Sequence, residues 1–474
     1  MNRGKRIKIS IWQKTILIVF SLFLTVAILE VGLRIGGFFM LLGQRRGNIA
    51  ALKEIGVCRI MCLGGSTTAN GGEYSYPSQM EEVLNKKEIG INFKVINKGL
   101  SGSDSVFIVS NLKSNLDKYK PHIVVTMTGA NDDCDTIPYE DSTKMKLYLF
   151  LKSFRVYKLA KLINLHIENK INGIISKKKD SNSLENEPIY FIRKTVEGEV
   201  GILLEKWSIL MDEGRIRETE DVMKAAIELE PNRGEVYLLL LDSYGAQGKI
   251  NEGDKIVEKI GQLPFNCFND PWELCQLGFY YRRTKRYTKA EEVLKRAIDI
   301  NPYYRESYAE LATVYREQNC IEKLNNVCEK IINRDIKSGN IYGFLATSYR
   351  ELGDLEKAQK YYNKTDEFWM KNYKEATKHN YELIKEIVED RGIQLVAVQY
   401  PMRNVEALKR LFDSSEGVIF VSNEHSFKKA LEHSSYEDYF FDNFAGDFGH
   451  CTSLGNKLLA ENIANNILEK CFNK

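Results

Sequence analysis

Four residues have the types and settings that could do chemistry together: Ser66, Asn131, Asp447 and His450. Ser66 follows the pair Gly64-Gly65 at the end of the apolar run Cys58-Arg59-Ile60-Met61-Cys62-Leu63. Such a run reads as a buried strand, and the glycines let the backbone turn sharply and thrust the next side chain outward. A Gly-Gly-Ser turn alone is only a turn. Asp447 and His450, three apart in a loop before the last apolar-periodic helix, can set a carboxylate against an imidazole and fix its tautomer. Hydroxyl and oriented imidazole are the equipment of acyl transfer. Ser66 would attack a carbonyl, His450 would take its proton and return it to the leaving alcohol, and Asp447 would orient His450. The Ser66 N–H, the Gly102 N–H and the Asn131 amide would form the oxyanion hole. The other histidines (122, 166, 379, 425, 433) lack a comparable setting.

These residues need a scaffold that gathers them. After Ser66 a helix is predicted over 76–84, then a strand Phe93–Asn97 that ends in a loop holding Gly99 and Gly102. A helix over 106–118 and a strand His122–Met127 follow, ending in Gly129-Ala130-Asn131-Asp132. Helix 372–391, strands Gln394–Gln399 and Gly417–Val421, and a helix bearing Leu458, Leu459, Ile463 and Ile467 complete the pattern. Continuous apolar strands alternating with helices predict a parallel five-stranded sheet covered on both faces. In such a sheet the loops after Leu63, Asn97 and Met127 share the carboxyl edge, where ligands bind.

Between its third and fourth strands the chain changes character. Residues 144–170 read as a lysine-rich amphipathic helix and 176–188 as a flexible linker. Gly214, Gly248, Lys285, Asn319 and Gly353 then recur at spacings of 34, 37, 34 and 34. Leu274, Leu277, Gly278, Tyr281, Ala290, Leu294, Ala297 and Pro302 in one unit answer to Tyr342, Leu345, Ala346, Tyr349, Ala358 and Tyr362 in another. This pattern over 200–370 resembles the tetratricopeptide repeat. The resemblance implies a protein or peptide partner. Tyr244, Tyr281, Tyr315 and Tyr349 are expected to be core. Because the insertion leaves and re-enters at the carboxyl edge, the lysine-rich helix or the array is expected to flank or roof the site.

Serine, glycine, asparagine and histidine in that order resemble the SGNH/GDSL hydrolase family over 55–140 and 372–470. Ser66 matches the first block, Gly102 (with Gly99 a second candidate) the second, Asn131 the third and Asp447/His450 the last. Gly65 stands where the family usually has aspartate, and Cys451 where proline is common. The resemblance implies an α/β fold: a three-layer α/β/α, flavodoxin-like five-stranded sheet with an inserted all-α repeat superhelix. It further implies a serine esterase that removes acyl groups, O-acetyl among them, from a carbohydrate or cell-envelope polymer through an acyl-serine. The alternatives are an O-acyltransferase of cell-surface polysaccharide using the same serine, and an inactive repeat scaffold that recruits partners at the membrane.

The amino-terminal 14 residues carry Arg3, Lys5, Arg6, Lys8 and Lys14 and no acid. Thr15–Leu29 is uncharged; as a helix it is about 22 Å long, short of a hydrocarbon core of about 30 Å. A transmembrane anchor is therefore expected over 15–43, with Glu30 and Arg34 at the far interface and no small-x-small cleavage site after Leu29. The basic leader 1–14 would be cytoplasmic and the rest outside. The expected divisions are thus 1–14, 15–43, 55–140, 141–199, 200–370 and 371–474. A net charge of +3 spread over 474 residues argues against nucleic acid. The nine cysteines show no metal-ligand spacing, and neither metal nor cofactor is called for. Leu63-Gly64-Gly65-Ser66-Thr67 lacks the spacing of a phosphate-binding loop.

Overall fold

A computed structural model describes residues 42–132, 136–153, 198–212, 215–231, 233–261 and 271–473. Five short parallel strands form one sheet: β1 (Cys58–Gly64), β2 (Phe93–Asn97), β3 (Ile123–Met127), β4 (Gln394–Val398) and β5 (Val418–Val421), in the order β2-β1-β3-β4-β5. Ile60 pairs with Ile123 and Gly64 with Met127, so β1 and β3 end level with each other. Alternation along the strands feeds two cores. Ile60, Cys62 and Val125 face Tyr76, Met80 and Leu84 of α2 (Tyr76–Lys86) and Ile463 and Ile467 of the last helix. Met61, Leu63 and Val124 face Ile108 and Leu112 of α3 (Ser105–Tyr119) and Ile384 and Val388 of the helix that precedes β4. A four-residue helix, α1 (Ser66–Ala69), lies between β1 and α2.

Among the described residues the repeats are five helix pairs. They comprise α4 (Gly198–Asp212) with α5 (Ile216–Leu229), α6 (Gly234–Gln247) with α7 (Ile250–Gly261), and α8 (Pro271–Arg283) with α9 (Tyr287–Ile300). Then come α10 (Arg305–Glu317) with α11 (Ile321–Asn333) and α12 (Gly339–Glu351) with α13 (Leu355–Lys371). Gly248, Lys285, Asn319 and Gly353 all close their inter-helix turns with positive φ, between 55° and 78°. At Gly278 an added Cβ would stand 2.7 Å from Leu294 Cγ, so a small residue is what lets α8 and α9 close on each other. Tyr244, Tyr281, Tyr315 and Tyr349 are buried, as core residues should be.

A ladder of ions runs along the first helices of the last three pairs, with arginines at 282, 316 and 350. Arg282 of α8 reaches Glu310 and, at 2.6 Å, Glu317 of α10. Arg316 of α10 reaches Glu351 of α12 at 3.4 Å. Two further helices, α14 (Glu375–Glu389) and α15 (Ser453–Phe472), belong to the sheet.

Two expectations are corrected. Assignment to the α/β class does not hold: the molecule is mostly helical, a TPR-like superhelix with a small parallel sheet. The strands are four to seven residues long, whereas the helices of the array run from 12 to 17 residues. The single-pass membrane protein is overturned too, because among the described residues no helix is long and apolar enough to cross a membrane. The expected anchor at 15–43 lies almost wholly outside the described residues, as do the linker 176–188 and all of the lysine-rich stretch beyond residue 153.

Candidate functional site

The turn after β1 is shaped by close approach. A Cβ on Gly64 would collide with the Thr68 hydroxyl and stand 2.6 Å from the Met127 carbonyl. A Cβ on Gly65 would stand 2.7 Å from Asn131 Nδ2. Two glycines therefore let α1 fold back over the β1 and β3 ends. Ser66, the first residue of α1, is left half-buried at the sheet edge.

The imidazole arrives on the loop before α15. A bridge pairs Phe440 with Cys451, and the Phe441 N–H donates to the His450 carbonyl at 2.8 Å. This narrow hairpin pairs position 441 with 450 and sets Asp442 one residue on, against Gly449, where its side chain reaches back to His450. Asp442 Oδ1 accepts the His450 backbone N–H at 3.0 Å, and Asp442 Oδ2 lies 2.7 Å from His450 Nδ1. His450 Nε2 lies 2.8 Å from Ser66 Oγ. A carboxylate only accepts, so Nδ1 carries the proton and Nε2 takes the Ser66 hydroxyl hydrogen. Phe444 stacks on the imidazole with centroids 4.6 Å apart. The arrangement can take a proton from Ser66 and hold the resulting imidazolium against Asp442.

Asp447, expected as the orienting carboxylate, is not the partner of His450. It is wholly buried, neither of its side-chain oxygens has a hydrogen-bond partner, and Arg403 Nε stands 3.5 Å away, long for a hydrogen bond. Burial pushes its carboxyl above the ordinary range, against the pull of Arg403. The Arg403 guanidinium packs over Trp369 and Phe448, 4.3 and 4.9 Å from their ring centres. Three-residue spacing singled out Asp447, whereas the carboxylate at His450 is brought there by the hairpin, which sets position 442 diagonally across from 450 and which no periodicity in the sequence announces.

Asn131 is where the sheet edge predicts, beside Gly65, with its Nδ2 donating to the Ser103 carbonyl at 3.0 Å. The loop that carries it is held from below. The Tyr381 hydroxyl accepts from Thr128 N at 3.2 Å and donates to Thr128 O at 3.0 Å. Asp132 accepts from Ser105 N at 2.8 Å and Thr377 Oγ1 at 2.6 Å. The loop after β2 crosses the same edge, with Leu100 N and Ser103 Oγ both donating to the Gly64 carbonyl. Gly102 is exposed there at φ +70°, with open space where a Cβ would be. Gly99 lies against α1, and its N–H is taken by Asn97 Oδ1 at 2.9 Å, which leaves Gly102 the better donor of the two.

The tetratricopeptide repeat family model matches residues 274–304 and 339–365, so the chain carries tetratricopeptide repeats. Among solved structures it is similar to the MamA protein, at 23% identity and TM-score 0.28 over 36% of this chain and 92% of that one. It is also similar to PilF of Pseudomonas aeruginosa, at 12% identity and TM-score 0.29 over 41% of this chain and 86% of that one. A third is YrrB, described as a TPR protein with an unusual peptide-binding site, at 14% identity and TM-score 0.26 over 35% and 84%. At these values the likenesses go no further than the repeat. No curated protein matches the chain. The expected serine hydrolase of ester bonds is overturned here: the family model that matches the chain is the tetratricopeptide repeat.

Proposed function

We propose that the chain is a repeat scaffold that binds a protein or peptide partner through its array and presents the Ser66 edge beside it. The observation that carries this reading is the regular array itself, matched by the family model at 274–304 and 339–365. Its first helices offer graded chemistry to a partner: Phe279, half-buried, lies under the guanidinium groups of Arg282 and Arg283 at 4.9 and 4.1 Å. A photo-crosslinking amino acid at Gln276, one helical turn before, tests it in the full chain. A discrete adduct with one partner is expected, lost on Phe279→Ala with unchanged circular dichroism. Adducts absent from the intact chain would remove the reading.

A second reading concerns the site, and one observation favours it: the unbroken hydrogen-bonded line Asp442–His450–Ser66. Ser66 is the nucleophile, His450 its base and Asp442 the orienting carboxylate, with Ser66 N–H, Gly102 N–H and Asn131 Nδ2 as the donors near the developing charge. A fluorophosphonate should form a bond to Ser66 Oγ with loss of fluoride, mapped by mass spectrometry. Labelling that persists in Ser66→Ala would sink it.

A further inference from the structure

The loop that carries Asp442 and His450 has little regular structure of its own, yet it must hold an imidazole within 2.8 Å of a hydroxyl on another segment. What it packs on is the last repeat. A Cβ on Gly343 of α12 would stand 2.5 Å from the Asp447 backbone nitrogen and 2.8 Å from its Cβ. Gly446, at φ +86°, lies on Asn340 with no room for a side chain. Helix and loop therefore meet backbone to backbone, a closeness that ordinary side-chain packing does not need.

The ion ladder ends at the same place. Arg282 and Arg316 each reach forward to a carboxylate of the next pair's first helix, and α12 is the last such helix described. Arg350 instead donates to the Leu431 carbonyl at 2.6 Å. Arg316 also reaches Glu437 at 3.3 Å, and Glu351 accepts the Tyr436 N–H at 3.1 Å. Residues 431–437 thus take the bonds that end the ladder, and five residues after Glu437 the chain delivers Asp442.

We infer that the end of the array is the positioning element of the Ser66–His450 pair, with Gly343 and Arg350 of the last repeat and Arg316 of the one before it as positioning residues that hold 431–450 in register. The inference rests on the reading of Ser66, His450 and Asp442 as a working site. Any strain a bound partner puts on the end of the array is thereby delivered to the imidazole.

The test uses the full chain and two readouts: the proton resonance of His450 Nδ1–H, held by Asp442, and the rate of fluorophosphonate labelling at Ser66. Gly343→Ala should slow labelling at least tenfold and shift or broaden that resonance, with unchanged circular dichroism. Glu437→Lys, at an exposed side chain, should move both in the same direction by about threefold in rate. Gly245→Ala strains α6 against Tyr280, remote from the junction, and should move neither. If Gly343→Ala does not fold, Glu437→Lys decides. Junction variants that keep the wild-type resonance and rate overturn the inference, as does a Gly245→Ala effect of equal size. A wild type that is not labelled, but whose resonance moves in the junction variants, sinks the reactive serine and upholds the positioning.

Discussion

Asp442 Oδ2 stands 2.7 Å from His450 Nδ1, while Asp447, closer to His450 in sequence, is buried against Arg403. The two aspartates thus make opposite predictions. Asp442→Asn keeps the shape but lets the imidazole settle with the wrong nitrogen protonated, and should slow fluorophosphonate labelling of Ser66 by about 10² or more. Asp447→Asn should leave the labelling rate within about threefold, since it never touches the imidazole. Second-order labelling rates of the two variants, side by side, check this.

Gly99 is required by space rather than by chemistry. A Cβ there would stand 2.5 Å from Ala69 N and 2.7 Å from Thr68 C, both backbone atoms that cannot step aside. Gly99→Ala should cost about 2–3 kcal/mol of stability, read from chemical denaturation. Gly102→Ala meets no neighbour and should cost less, about 1 kcal/mol, for its positive φ alone.

Tyr381 ties α14 to the loop that carries Asn131. Removing its hydroxyl strands the buried Thr128 N–H, so Tyr381→Phe should destabilise by about 1–3 kcal/mol. Hydrogen exchange should quicken first at Thr128.

Asp366 sits half-buried at the end of the array, and its carboxyl is raised to about 6, first by burial and then by the nearby charge of Glu424. Asn404 N–H, 3.2 Å away, and Lys428 oppose the rise. A carboxyl raised in the folded state holds its proton more tightly there than in the unfolded chain. Stability therefore falls as pH rises from about 4 to about 6 and is level above that. Asp366→Asn keeps an acceptor for Asn404 N–H and should remove this fall, adding about 1 kcal/mol at pH 7 after allowance for solvent screening. Melting temperatures of both proteins from pH 4 to 8 would show it. Curves that stay parallel would contradict the raised carboxyl.

The elements were legible in the sequence where burial writes a pattern. Cys58–Leu63 reads as a strand because both of its faces are covered, and the turn residues Gly248, Lys285, Asn319 and Gly353 betray the repeat by recurrence. Ser66, Gly102 and Asn131 could be foreseen together because parallel strands share one edge, whereas His450, which follows no strand, was legible from its loop before the last helix and from the order of the family's blocks. Asp442 could not, because its role comes from a hairpin closed by one isolated bridge, Phe440 to Cys451, which leaves no periodicity. Nor could the balance of the fold. Five short strands set a topology, while the helices between β3 and β4 set the mass, and strand motifs say nothing of how much chain is hung between them.

That interruption also orders events at the ribosome. Val125 of β3 pairs with Val396 of β4, so nascent β3 presents an unmatched edge until the whole array has emerged. At ordinary elongation rates the wait is on the order of tens of seconds, long enough for the repeats to fold and for a chaperone to shield the waiting strand. His450 is made later still, so the array can fold before Ser66 meets its imidazole.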